Sequence, residues 1–332
     1  MTNAPILVTG GAGFIGSHTC KALAALGYKP ITLDNLSTGN AGSVMWGPLI
    51  EADLQDTERV AATLMSNNID TVIHFAASAY IGESMTDPGK YYRNNVAGMV
   101  SLLEACTVAG VDKIIFSSSC ATYGIPTTLP IRETEQQKPI NPYGRTKLIG
   151  EEMLADYAAA YGLRYVILRY FNACGADPDG ELAEWHDPET HIIPLALRAA
   201  AGTNDKLLIY GTDYDTPDGT CIRDYIHVCD LAVAHILALE HLCDGGENLA
   251  VNLGTGTGLS LLDVVSEIEK ATHRTVPVQL NARRPGDPPC LYADASLARE
   301  TLGFVPQMSD IESIVRTAGP SFGLELVDHA DA

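Results

Sequence analysis

The amino-acid sequence predicts an α/β fold, a doubly wound parallel sheet followed by a smaller C-terminal α/β domain, and three observations carry that prediction. Near the N-terminus the apolar run Pro5-Ile6-Leu7-Val8-Thr9 enters a glycine-rich turn and then a helical segment. Short apolar runs and helical stretches then alternate as far as Tyr170, the pattern of parallel strands joined by crossover helices. Beyond Phe171 the chain becomes richer in Gly, Pro and Asp, as in Gly175-Ala176-Asp177-Pro178-Asp179-Gly180, which marks a change of organisation.

The first turn is Gly10-Gly11-Ala12-Gly13-Phe14-Ile15-Gly16, ahead of a helix expected over 17–26. Gly11, Gly13 and Gly16 satisfy G-x-G-x-x-G, and Gly10, Gly13 and Gly16 satisfy the variant G-x-x-G-x-x-G. Between a strand and a helix, this pattern is the phosphate-binding turn of a Rossmann-type fold. Glycines let the backbone approach a pyrophosphate, and the unpaired N–H groups of the helix N-terminus attract it. The next strand, Pro30 to Asp34, closes on a carboxylate roughly twenty residues beyond the glycines, where an acid holds an adenosine ribose diol. Asp34 repels a 2′-phosphate, and no Lys or Arg occurs from Asn35 through Pro48 to accept one. The expected cofactor is therefore NAD rather than NADP.

The alternation continues. Leu49-Ile50 leads to Asp53, 57–67 reads as a helix, and Thr71 to Phe75 is a buried strand running into the small-residue loop Ala76-Ala77-Ser78-Ala79. A single helical segment is expected from about 90 to 109, carrying Asn94 and Asn95, before the strand Lys113 to Ser117. A helix from Tyr143 is stopped by Gly162, and a sixth strand spans Arg164 to Tyr170. Ligands of such sheets gather at the carboxyl ends of the strands. The dinucleotide half is expected over 1–171, with about 226–257 returning to it through the strand Ala250 to Leu253. Residues 172–225 and 258–332 form the smaller C-terminal α/β substrate-binding domain. Its helices are expected near 194–201, 228–242 (on the returning segment) and 261–272.

Composition narrows the function. Lys and Arg total 21 against 41 Asp and Glu, a net charge of -20, which disfavours non-specific binding to nucleic acid or anionic membrane. Arginines in Gly/Pro-rich loops, such as Arg223 and Arg284, therefore stand out as local anion sites. No apolar run approaches a membrane span and no signal peptide is evident, so a cytoplasmic location is expected. The eight cysteines are scattered without a CxxC pair, reduced thiols are expected, and no metal is expected.

The chemistry centres on Asn141-Pro142-Tyr143-Gly144-Arg145-Thr146-Lys147. Four-residue spacing puts Tyr143 and Lys147 on one helical face, a phenol beside an ammonium and so a proton carrier. Ser119 stands at the carboxyl end of the fifth strand, 24 residues before Tyr143. The Ser…Tyr-x-x-x-Lys set on a dinucleotide turn resembles the extended short-chain dehydrogenase/reductase superfamily. Further motifs narrow the resemblance to the UDP-glucose 4-epimerase (UDP-galactose 4-epimerase) family. They are Asp34-Asn35-Leu36, His74-Phe75-Ala76, Gly82-Glu83-Ser84, Tyr91-Tyr92-x-Asn94-Asn95-Val96, Ser117-Ser118-Ser119 and Leu168-Arg169-Tyr170-Phe171-Asn172. Two more lie toward the C-terminus, Asp218-Gly219-Thr220-x-x-Arg223-Asp224-Tyr225-Ile226-His227-Val228 and Arg283-Arg284-x-Gly286-Asp287.

The resemblance implies that a hydride passes from C4 of a UDP-hexose to tightly held NAD+ while Tyr143 removes the O4 proton. The 4-ketose then turns over and takes the hydride back on its other face. Ser119 would hydrogen-bond O4 and Tyr143, and Lys147 would hold the nicotinamide ribose and lower the tyrosine pKa. Around the cofactor it implies Gly10, Gly13, Phe14, Ile15, Gly16, Asp34, Asn35, Ser37, Thr38, Gly39, Asp53, Leu54, Phe75, Ala76, Ala77, Ala79, Asn94, Ser117, Tyr143, Lys147, Tyr170 and Phe171. Around the substrate, besides Ser119, Tyr143 and Phe171, it implies Asn172, Ile192, the uracil-side strand Leu208, Ile209 and Tyr210, the diphosphate arginines Arg223 and Arg284, Asp287 near the uridine ribose, and Leu291. It also implies a homodimer through the helices at about 90–109 and 143–162.

Two positions depart from the family pattern. His191-Ile192-Ile193-Pro194 replaces an Asn-Leu-Met-Pro run. Leu291 stands at a gatekeeper position that is tyrosine in members restricted to UDP-hexoses and smaller in those admitting 2-N-acetyl sugars, so activity on UDP-N-acetylglucosamine is expected. Ser119 is followed by Cys120-Ala121-Thr122 rather than an Asp-Glu pair, which argues against a 4,6-dehydratase. A UDP-xylose/UDP-arabinose 4-epimerase shares the same chemistry and stays open. A catalytically idle NAD-responsive binding protein is the alternative from another class, and it would be expected to lack Tyr143 or Lys147.

Overall fold

A computed structural model describes residues 3–283 and 288–327. The N-terminal part alternates β1 (Pro5–Thr9), α1 (Phe14–Ala25), β2 (Lys29–Asp34), β3 (Leu49–Glu51), α2 (Thr57–Ser66), β4 (Thr71–His74), α3 (Ile81–Thr86), α4 (Pro88–Tyr91), α5 (Gly98–Ala109), β5 (Lys113–Ser119), α6 (Pro142–Tyr161) and β6 (Arg164–Tyr170). There follow β7 (Asn172–Cys174), α7 (Ile192–Ala200), β8 (Leu207–Tyr210), β9 (Ile222–Arg223), β10 (Tyr225–His227), α8 (Val228–Cys243) and β11 (Leu249–Leu253). The chain continues through β12 (Leu259–Ser260), α9 (Leu261–Thr272), β13 (Val278–Asn281), β14 (Cys290–Leu291), α10 (Ser296–Leu302) and α11 (Ile311–Ala318).

Seven strands form one parallel sheet in the order β11-β6-β5-β4-β1-β2-β3. Because successive strand residues point to opposite faces, the apolar runs feed two cores. Ile6, Val8, Ile73, Ile115, Val166 and Leu168 pack with α1 and α8 on one side. Leu7, Ile31, Leu33, Val72, Ile114 and Ile167 pack with α2, α5 and α6 on the other. A third core draws only on residues from 174–225 and 259–326, chiefly α7, β8, α9 and α11.

The segment expected as one helix from 90 to 109 is three pieces. Between α4 and α5 lies a π-helical turn, Tyr92–Ala97. The wider turn lets Asn95 accept from Ser78 N at 2.8 Å and donate to Ser78 O and Thr146 Oγ1, each at 3.0 Å. Single π turns of this kind inside helices are frequent at functional sites. The strand expected to stop at Ser117 runs on to Ser119, and the helix expected from 17 begins at Phe14, directly after Gly13.

Candidate active site

Helix α6 is entered through Asn141, whose side chain accepts from Gly144 N at 2.8 Å, with Pro142 in the first turn and Gly162 in the left-handed region at its end. Two glycines on its inner face set its distance from β5. A Cβ on Gly144 would come within 2.3 Å of the Ala121 carbonyl oxygen, and one on Gly150 within 2.9 Å of the Phe116 ring. This close approach brings Lys147 under the end of β5, where its Nζ donates to Ser117 O at 2.7 Å. The ammonium lies 5.0 Å from the Phe116 ring centroid and 5.9 Å from that of Tyr143. Lys147 is only 5% exposed. Burial lowers its pKa to about 8, against the charge of Glu151, which raises it.

Tyr143 keeps partial access to solvent, with Tyr91 edge-on at 6.5 Å between ring centroids. Burial pushes its phenol above the ordinary value, Tyr170 adds to this, and a hydrogen bond with Ser119 lowers it. Ser119, the last residue of β5, caps a single 3-10 turn over Cys120–Thr122 by accepting from Ala121 N at 3.2 Å. Ser119, Tyr143 and Lys147 are thus gathered at the carboxyl end of the sheet.

A buried network supports them from behind. Ser118 Oγ donates to Glu151 Oε1, and Arg169 forks onto the same carboxylate at 3.0 Å and 2.6 Å. Arg169 also donates to Tyr123 Oη at 2.9 Å, and Tyr123 donates to Asn252 Oδ1 at 2.7 Å. This chain ties α6, β5, β6 and β11 into one frame. Ser117 Oγ lies 2.7 Å from Nε2 of His235, whose Nδ1 is 2.8 Å from Leu231 O. Burial lowers the His235 pKa to about 4, so the ring is neutral. Its Nδ1–H donates to the Leu231 carbonyl and leaves Nε2 to accept from Ser117.

On the dinucleotide side, Asp34 accepts from Ala12 N at 3.0 Å and Leu36 N at 2.9 Å. Burial raises its pKa while these two N–H groups lower it. Gly39 folds so close that a Cβ there would lie 2.9 Å from Asp34 Oδ1. The turn's glycines divide by role. Gly10 has φ +73 and would press a Cβ to 2.6 Å from Ala76 N, and Gly16 would meet Gly10 O at 2.3 Å, so internal packing alone requires both. Gly13 would meet only Gly10 O at 3.3 Å, and it opens α1 without a side-chain cap. A bare, uncapped helix entrance beside a buried carboxylate fits the pyrophosphate and ribose of NAD. Phe14 and Ile15 continue that entrance. Phe75 to Ala79 follow β4, Asn35 donates to Asp53 Oδ2 at 2.9 Å, and buried Leu54 gives its carbonyl to Ser101. Ser37 and Thr38 lie exposed on the same loop, and Asn94 donates to Asn95 Oδ1 at 3.0 Å.

Of the substrate candidates, Asn172 Nδ2 donates to Asp224 O at 2.8 Å. Arg223 pairs with Leu291 across β9 and β14. Phe171, Leu291 and Cys120 pack together around Tyr123, Ile131 and Ala293. Burial pushes the Cys120 thiol to about 12, with the Arg223 charge pulling it down, which sets Arg223 beside the residue that follows Ser119. Leu208, Ile209 and Tyr210 belong to a separate pair of strands, β8 and β13, where Ile209 is fully buried and Leu208 is 42% exposed. Ile192 is the first residue of α7, and His191 before it makes no capping hydrogen bond. Arg284 and Asp287 lie outside the described residues.

Sequence reasoning quoted Asn95 and Arg169 within motifs without giving them a role, and it missed Glu151, His235, and the grouping of Glu184, His186, Glu189 and His191. Glu151 stands four residues after Lys147 on the same face, a signal that was available. The last group was legible as a Glu-x-His-x-x-Glu-x-His spacing. Among the described residues no helix is long and apolar enough to cross a membrane.

Residues 6–254 match the model of the NAD dependent epimerase/dehydratase family. The chain is 51% identical over 318 residues to the UDP-glucose 4-epimerase of Rhizobium meliloti strain 1021, covering 96% of this chain and 97% of that one. Its fold superposes with a TM-score of 0.96 on the UDP-glucose 4-epimerase from Brucella ovis in complex with NAD, at 63% identity, covering 98% of this chain and 100% of that one. With the Stenotrophomonas maltophila UDP-glucose-4-epimerase, solved with bound NAD and formylated UDP-arabinopyranose, the TM-score is 0.93 at 39% identity, covering 97% and 98%.

Proposed function

The chain belongs to the NAD dependent epimerase/dehydratase family, and from that membership we propose how its site works as an isomerase that interconverts UDP-glucose and UDP-galactose at C4 with NAD as cofactor. NAD, when bound, supplies the acceptor and donor of one hydride. The chain's own groups handle the proton and the geometry. Tyr143 takes the O4 proton as C4 is oxidised and returns it as C4 is reduced from the other face of the UDP-4-ketohexose. Ser119 holds O4 against the phenol, and Lys147 holds the nicotinamide ribose and offsets the phenolate. The observation that carries this reading is the placement of Lys147 under Ser117 O at 2.7 Å, with Tyr143 on the same helical face and Ser119 closing the strand.

For the nucleotide sugar, Arg223 and Arg284 grip the diphosphate, Asp287 the uridine ribose, and Leu208 to Tyr210 flank the uracil. Asn172, Ile192 and Phe171 complete the pocket, and Leu291 borders the sugar. The expected cofactor set from Gly10 to Phe171 lines the other side. The dinucleotide half is 1–171 with 226–257, and the UDP-sugar half is 172–225 with 258–332. In support, β11 adds to β6, whereas the third core is built solely from the second set of residues. A cytoplasmic homodimer through 90–109 and 143–162 completes the reading. Val100, Val108 and Tyr161 on those helices are 38%, 68% and 66% exposed, apolar surface of the kind a partner copy covers.

The test is an assay of purified chain with UDP-galactose and no added NAD. Formation of UDP-glucose without net NADH supports the reading, and absence of product overturns it. UDP-arabinose, run in parallel, measures the pentose alternative.

A further inference from the structure

The loop leading into α7 gathers four metal-ligating side chains within eight residues. One ligand atom from each of Glu184, His186, Glu189 and His191 lies within 4.8 Å of all the others. His186 Nδ1 is 3.3 Å from Glu184 Oε1 and 3.4 Å from Glu189 Oε2. His191 Nδ1 is 3.2 Å from Glu184 Oε1 and 3.0 Å from Glu189 Oε1. Zinc bonds of about 2.0–2.1 Å to nitrogen and oxygen in a tetrahedron place neighbouring donors about 3.3–3.4 Å apart. Three of the separations, 3.2–3.4 Å, match those tetrahedral edges, and the fourth, His191 Nδ1 to Glu189 Oε1 at 3.0 Å, is also a hydrogen bond.

The independent observation is the state of the donors. The Glu184 and Glu189 side chains are 3% and 1% exposed. Glu184 Oε1, Glu189 Oε2 and His186 Nδ1 are buried without a well-formed hydrogen bond, and the polar atoms they face are one another and His191 Nδ1. Two buried carboxylates with unsatisfied oxygens are costly unless a cation joins them. His191 remains 41% exposed and leaves a path by which an ion enters.

We propose that Glu184, His186, Glu189 and His191 form a structural zinc site. Two imidazole nitrogens with two carboxylate oxygens suit zinc rather than magnesium or calcium, which take oxygen ligands. Its place in the fold states its purpose. The His186 ring meets Phe14, at the entrance to α1, edge-on at 6.0 Å, and Tyr80, just beyond the loop after β4, at 6.2 Å. His191 directly precedes Ile192, the first residue of α7. The ion pins the loop from the C-terminal half against the glycine turn, next to the place where Lys21 on α1 already holds Asp177, Asp179 and Glu181 of the same loop.

Trp185, 71% exposed between two of the ligands, makes the site observable. The chain would be purified without a histidine tag, and its zinc counted by mass spectrometry. After chelation it would be titrated with zinc and cobalt, following Trp185 fluorescence in a Trp46→Phe background. The expected result is one zinc per chain, a tetrahedral cobalt absorption spectrum, and no competition from magnesium or calcium. His191→Ala, at the exposed rim, should fold normally and weaken zinc binding roughly 100-fold, about what one of four ligands contributes. His186→Ala should lose the cobalt spectrum. The chelated chain should also be cut faster by protease within 178–190. Zinc well below one per chain after saturation and washing overturns the proposal, as does undiminished binding by both histidine variants. These readouts need neither cofactor nor turnover, so they stand or fall apart from the epimerase reading.

Discussion

Lys147 donates to the carbonyl oxygen of Ser117 at 2.7 Å from a position only 5% exposed to solvent. The fold holds a cation where it is poorly solvated. A lysine lowered from 10.5 to about 8 by burial carries a penalty of about 3 kcal/mol while both folded and unfolded forms are protonated. That penalty is full below pH 8 and disappears as pH rises toward 10.5, because in this window the unfolded chain binds the proton that the folded chain has released. Lys147→Met should therefore abolish turnover yet stabilise the cofactor-free chain at pH 7. The gain should be about 2 kcal/mol once the lost hydrogen bond to Ser117 is deducted, and it should shrink toward pH 10. Urea unfolding of both proteins at the two pH values checks this, and a pH-independent difference or a less stable variant would refute it.

As the proposed base, Tyr143 needs more positive charge than one lysine supplies. Burial raises its phenol, and Ser119 contributes the lowering hydrogen bond. Bringing a phenol from about 10 to about 7 takes roughly 4 kcal/mol, whereas one cation about 5 Å away at an effective dielectric near 20 gives about 3.3 kcal/mol. Oxidised nicotinamide is positively charged and reduced nicotinamide is neutral. Tyrosinate absorbance should accordingly titrate at lower pH in the NAD+ complex than in the NADH complex, by about one unit or more. Tyr143→Phe should remove that titration step and about 100-fold or more of the turnover while retaining the cofactor. Equal midpoints in the two complexes would show that the ring does not tune the base.

What could be read from the chain follows from regularity. Parallel strands buried on both faces appear as continuous apolar runs, so strands read at 5–9, 71–75, 113–117, 164–170 and 250–253 fall within a residue or two of the strands the structure forms. Tyr143 and Lys147 were legible because a helix repeats, and Ser119 because strand ends collect ligands. The locking role of Asn95 was hidden by one π turn, which changes the direction of a side chain without changing composition. The Glu151–Arg169 pair joins a helix to a strand 18 residues away, a contact made only by tertiary packing. Glu184 to His191 sit on a loop with no period at all, so only their residue types could have pointed to one another.

Gly144 offers a test of how closely α6 must approach. An added methyl would fall 2.3 Å from the backbone oxygen of Ala121, which cannot rotate away. Gly144→Ala should therefore move the start of α6 away from the turn that Ser119 caps. A misplacement of about 1 Å typically costs about 100-fold in rate. Helix propensity returns about 1 kcal/mol, so stability should fall far less than kcat. Measured kcat, thermal unfolding and bound NAD separate the two effects, and a variant with near-normal kcat would mean that the approach is not what positions Tyr143.

In the proposed function Leu291 governs the room beside the sugar. It lies opposite Arg223 across β9 and β14 and packs with Phe171 and Cys120, so its side chain borders the residues that follow Ser119. Leucine reaches less far than tyrosine and leaves space for a substituent at C2. The wild-type chain should epimerise UDP-N-acetylglucosamine at least weakly, Leu291→Cys should raise that activity, and Leu291→Tyr should remove it. UDP-glucose turnover should stay within about ten-fold throughout, since one side chain's change in a pocket is worth about 1–3 kcal/mol. Comparing kcat/KM for the two sugars across the three proteins decides the matter. No detectable turnover of the N-acetyl sugar in the wild type, together with no gain in Leu291→Cys, would mean that another wall of the pocket sets the limit.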